Sequence, residues 1–76
     1  MKIQILGTGC TKCQKLAMNA EQAAKDLGLT YEIEKVTDPR DIATMGVMRT
    51  PALAIDGIVR LSGRVAEAAE LKPLFT

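Results

Sequence analysis

The junction from Gly7 to Cys13 constrains this chain more than any other stretch. On one side lies a short apolar run, Ile3, Ile5 and Leu6, within a strand-like segment from Lys2 to Leu6. Its apolar density predicts a central strand covered on both faces. On the other side, Cys13, Leu16, Ala17, Ala20, Ala24 and Leu27 recur at spacings of three and four. That recurrence is one stripe of an amphipathic helix over Thr11 to Leu27, with Gly28 placed for the left-handed residue that ends it. Gly7 and Gly9 permit a tight backbone path between the two elements. The chain's two cysteines, Cys10 and Cys13, stand in this junction two residues apart.

A thiol at a helix start sits in the positive end of the helix dipole, near N–H groups without intrahelical partners. That setting favours thiolate over thiol and draws a cysteine pKa below its free value. Lys12 adds a positive charge beside it, which marks it as a pKa-tuning residue. Cys10 and Cys13 therefore read as a redox pair. The stripe includes Cys13 and omits Cys10, so Cys10 is expected to be the exposed sulfur and Cys13 the one turned inward.

The remaining segments follow in order. Leu29 to Val36 reads as a strand with Tyr31 and Ile33 on one face and Thr30, Glu32 and Glu34 on the other, an edge-strand pattern. Asp38-Pro39 is a helix start, Asp38 as N-cap and Pro39 in the first helical position. Gly46 leaves that helix under two turns. Ala52 to Ile55 is a short apolar strand, Asp56-Gly57 a two-residue hairpin turn, and Ile58 to Leu61 the return strand. A last helix is expected from Val65 to Lys72, with Pro73 ending or kinking it and Leu74 and Phe75 tucked back on the core. The order βαβαββα predicts an α/β fold: a four-stranded mixed sheet flanked by helices, with β-strands one and two parallel and the last two antiparallel.

Seventy-six residues suffice for a single domain, 1–76, with a thin core. Ten basic and nine acidic residues form no basic stripe, and one Tyr and one Phe provide no stacking platform. Nucleic acid is not an expected partner. No apolar run approaches the ~20 residues that span a bilayer, so no membrane partner is expected. Strand pattern begins at Met1-Lys2-Ile3, leaving no room for a signal peptide. The expected location is cytoplasmic, where a Cys-x-x-Cys is catalytic or metal-binding more often than structural.

With these residues in place, the chain resembles the thioredoxin fold over nearly all its length. Cys10-Thr11-Lys12-Cys13 stands where the family carries its active-site motif. Gly46-Val47-Met48-Arg49-Thr50-Pro51 resembles the segment leading into the family's cis-proline, and Ile58 to Gly63 resembles its last strand and following glycine. In length the chain is similar to the small thioredoxin/glutaredoxin-like redox-active disulfide proteins of prokaryotes. The resemblance implies a thiol–disulfide oxidoreductase that reduces protein disulfides, Cys10 as nucleophile and Cys13 as resolving cysteine. It also implies a cis Pro51, with Thr50, Pro51 and Gly63 lining the substrate site. No cofactor beyond the Cys10–Cys13 disulfide is implied. The partners would be disulfide-containing target proteins and a thioredoxin-reductase-like electron donor, and the default state is a monomer.

Two departures stand out. The buried acid that thioredoxins carry on the strand before the motif falls at Gln4 by spacing, and Gln4 is no base. Arg64 and Val65 follow Gly63 where glutaredoxins place an acidic residue for glutathione. The competing class is a soft-metal, copper-type carrier, because two thiolates after a first strand suit a soft monovalent ion. A C-terminal helix pattern and the absence of a methionine two residues before Cys10 weigh against it. No metal site is assigned: with two cysteines and no histidine, a structural zinc site would need a dimer.

Overall fold

The computed structural model describes residues 1–8 and 11–75. Four strands, β1 (Lys2–Leu6), β2 (Glu32–Val36), β3 (Ala52–Ile55) and β4 (Ile58–Ser62), form one mixed sheet in the order β2-β1-β3-β4. β1 runs parallel to β2 and antiparallel to β3, and β3 is antiparallel to β4. Helices α1 (Thr11–Asp26), α2 (Pro39–Thr44) and α3 (Ala68–Leu71) flank it, and a 3-10 turn over Lys72–Leu74 follows. Among the described residues, no helix is long and apolar enough to cross a membrane.

Strand alternation divides the core in two. Ile3, Ile5, Leu53 and Ile55 face α1 and α3, packing with Leu16, Ala20 and Leu71. Leu6, Ala52 and Ala54 face the other way and pack with Val36, Ile42 and Val47 beside α2. This double coverage is why β1 and β3 are apolar on both sides. Small side chains at Ala17, Ala20, Ala23 and Ala24 make up most of the buried stripe of α1.

Local sequence chemistry sets most of the boundaries. Gly28 has φ +69°, and its N–H bonds Lys25 O while Leu29 N–H bonds Ala24 O, a Schellman ending for α1. The same pair of bonds closes α2 at Gly46, from Gly46 N–H to Ala43 O and Val47 N–H to Ile42 O. The Asp38 carboxylate caps α2 by accepting from the Arg40 N–H at 2.9 Å. Asp56 and Gly57 both have positive φ, 50° and 86°, as a two-residue hairpin turn requires.

α1 and β4 end within one residue of expectation, while β2 and α3 differ more. β2 starts at Glu32 because its partner β1 reaches only to Lys2, opposite Glu32. α3 starts at Ala68 and not Val65, because the segment before it is held extended: the buried Ala66 gives its carbonyl to the Asn19 side-chain amide at 2.9 Å. The helix then gives way at Lys72 to the 3-10 turn containing Pro73, which brings Phe75 into the core while Leu74 is half-buried.

Replacing Asp38 by Ala should cost about 1 kcal/mol, the usual loss for an N-cap carboxylate. Urea unfolding of the two proteins measures it. An unchanged midpoint would mean that tertiary packing of Ile42, not the cap, holds α2 in place.

Candidate active site

The site is built where the ends of four strands meet. Gly7 follows β1 directly, and its N–H bonds Val36 O at the end of β2. Cys13 lies in the first turn of α1 and is buried, 4% exposed. The two are in intimate contact: a Cβ on residue 7 would fall on the Cys13 sulfur. The same hypothetical Cβ would lie 3.8 Å from the Thr50 Cβ. Only a residue without a side chain allows the helix start to rest on the strand end in this way.

Thr50 is exposed and Pro51 fully buried, and the peptide between them is cis. The antiparallel register that sets Ala52 opposite Leu6 puts them beside Gly7. The Gly63 N–H, just beyond β4, bonds the Pro51 carbonyl at 2.9 Å. Gly63 has φ +82°, and a Cβ there would press to 3.3 Å against the Arg49 side chain. Cys13, Thr50, Pro51 and Gly63 are thus brought together. Lys12 is exposed in the first turn of α1, a turn that contains no acidic residue to offset the dipole's positive end. Cys10 lies outside the described residues.

Gln4 does not face the site. Its neighbours Ile3 and Ile5 point towards α1, so Gln4 points to the opposite side, where its amide donates to the Glu34 carboxylate at 2.9 Å. That bond, with the Lys2 ammonium, holds the Glu34 carboxyl below its ordinary pKa. Along β1 and the residue after it, the positions on Cys13's side are Ile5 and Gly7, which carry no ionisable group.

Lys35 on β2 lies on that side instead, and sequence reasoning passed over it. A small pocket beside Cys13 is lined by Ile5, Gly7, Gln14, Lys35 and Thr37. The signal was available: period-two alternation puts Lys35 on the face of Ile33, and β1–β2 pairing sets it opposite Ile5. Recognising it required the register.

A sulfur buried at a helix N-terminus, under a cis-proline loop, on a mixed sheet flanked by three helices, is the arrangement of a thiol–disulfide exchange domain. Comparison with known proteins agrees. A family model described as Thioredoxin domain matches residues 1–76. A thioredoxin of Methanothermobacter thermautotrophicus is 45% identical over 76 residues, covering 100% of this chain and 99% of that protein. A thioredoxin of Methanocaldococcus jannaschii is 40% identical over 70 residues, covering 92% and 80% respectively. The chain belongs to the thioredoxin domain family and is a small thiol–disulfide oxidoreductase.

Replacing Gly7 by Ala should displace the Cys13 side chain, because the added methyl claims the sulfur's space. The expected cost is about 1–3 kcal/mol, as for overpacking in a core, together with slower disulfide turnover. Thermal unfolding and an insulin-reduction assay read the two effects. A variant with native stability and turnover would mean that the contact can be relieved at no cost.

Proposed function

We propose that Cys10 and Cys13 are the redox couple and that a disulfide in a partner protein is the substrate. Cys10, as thiolate, attacks one sulfur of the partner's disulfide. A mixed disulfide forms, and the partner's other sulfur leaves as a thiolate that takes up a proton. Cys13 then loses its proton and attacks the Cys10 sulfur, expelling the second partner thiolate. The partner has gained two electrons and the Cys10–Cys13 disulfide has formed. A thioredoxin-reductase-like donor returns two electrons and two protons.

The observation that carries this reading is Cys13 itself, buried in the first turn of α1 against Gly7, which Thr50 also approaches. A resolving thiol is best kept from solvent and from competing disulfides, yet within one helical turn of the nucleophile. Lys12 and the amides of the first turn favour the Cys10 thiolate. The Thr50 backbone pairs with an extended substrate segment beside the scissile disulfide, a short case of strand addition. Pro51 and Gly63, joined by the Gly63 N–H bond to the Pro51 carbonyl, complete the substrate site beside it. The unit is one domain, 1–76, acting as a cytoplasmic monomer, with no cofactor beyond its own disulfide.

Cys10→Ser should abolish dithiothreitol-driven insulin reduction. Cys13→Ser should accumulate mixed disulfides between Cys10 and the substrate, visible by mass spectrometry under non-reducing conditions. Intact turnover in Cys13→Ser would refute the assigned order of attack.

A further inference from the structure

The charges of this protein are unevenly distributed about the site. Four ion pairs occur among the described residues: Lys2–Glu34 at 3.2 Å, Arg40–Asp38 at 3.5 Å, Arg64–Glu70 at 2.8 Å and Lys72–Asp26 at 3.4 Å. These neutralise themselves locally. The cations of the site end are not among them. Lys12 lies in the first turn of α1, Lys35 lines the Cys13 pocket at the end of β2, and Arg49 flanks Thr50 and packs on Gly63. All three are exposed, and among the described residues none has a carboxylate within ion-pair distance.

One carboxylate, Glu21, shares a surface hollow with Lys35 and accepts from the Tyr31 hydroxyl at 3.4 Å; others lie further off. Asp56, in the β3–β4 turn, accepts from the Lys2 N–H at the start of β1, and Glu32 is paired in register with Lys2. Gly7 is five residues further along, roughly 16 Å at strand rise. That is about twice the screening length at physiological ionic strength, ~8 Å. The far acids therefore do little to cancel the field at the site. Nearer by, Asp38 is committed to Arg40 and to its cap, and Asp41 lies in the first turn of α2, against that helix's own positive end. Met48, 95% exposed, stands next to Arg49 and adds an apolar contact to the rim.

We infer that Lys12, Lys35 and Arg49 form a cationic rim that selects partner disulfides flanked by acidic side chains. The inference rests on the Cys10–Cys13 chemistry proposed above and adds the substrate class. Encounter with an acidic flank is steered towards the sulfur, and a basic flank is repelled. Net charge, +1 for the whole chain, conceals this because a sum does not record that, among the described residues, these three cations lack an ion-pair partner while four others have one.

The test uses three peptides of equal length, each closed by one disulfide, with glutamates, uncharged residues or lysines on both sides of the bridge. Pre-reduced full-length protein is mixed with each, and the rate is divided by that of the same peptide with an uncharged phosphine. This ratio removes the effect of flanking charge on the disulfide's own reactivity. The acidic peptide should react faster than the basic one by about tenfold at low salt, and the gap should close as ionic strength rises. In the double variant Lys35→Gln, Arg49→Gln, the acidic-to-basic ratio should fall towards one. Equal rates for acidic and basic peptides, with the uncharged peptide still reduced, would overturn the rim alone. An uncharged peptide left intact would overturn the Cys10–Cys13 assignment, and the rim with it.

Discussion

The Cys13 sulfur, in the first turn of α1, rests against Gly7 at the end of β1. Everything at the site depends on that approach. It buries the sulfur, sets the helix N-terminus over the sheet end, and leaves Thr50 as the next neighbour. The approach is possible because residue 7 is glycine, and it is useful because four strand ends converge there, that of β2 included. β1 and β4 finish at this end and β3 begins at it, so antiparallel pairing brings Pro51 and Gly63 into hydrogen-bond contact above the helix start. The site is a consequence of sheet topology applied to short loops.

A thin sheet covered on both faces supplies the rigidity. α1 and α3 close one side and α2 the other, with alternate residues of β1 and β3 feeding the two cores. β4 manages the same division by an irregularity. Leu61 pairs with Leu53 but Val59 pairs with Ala54, so Arg60 is an extra residue in the ladder. The bulge reverses the alternation, which places Leu61 with the α1 core and Val59 with the α2 core. In contrast, the ion pairs are all solvent-exposed and contribute little to stability. Their effect is to remove some charges from play and leave others acting on approaching molecules.

Much of this was legible in the residues. Asp38-Pro39, Asp56-Gly57, Gly28 and Gly46 each carry a local rule strong enough to hold in any context. The inward turn of Cys13 followed from its place in the apolar stripe. What failed had a common cause. α3 begins late because Asn19, 47 residues away from Ala66, captures a carbonyl the helix would have used. Gln4 faces away from the cysteines, and Lys35 towards them, because alternation and register decide which side of a strand a residue occupies. The bulge at Arg60 left no trace in composition or period.

Sequence by itself determined the order of elements, their caps and turns, and the place of Cys13 at a helix start, because each of those depends on residues within about one turn of one another. Tertiary structure decided which side chains share a face with Cys13, how Thr50, Pro51 and Gly63 meet it, and where charge remains uncompensated. Those outcomes depend on strand register and on contacts between distant segments. No local pattern encodes them, since a shift of one residue in pairing would reverse every side chain in the strand.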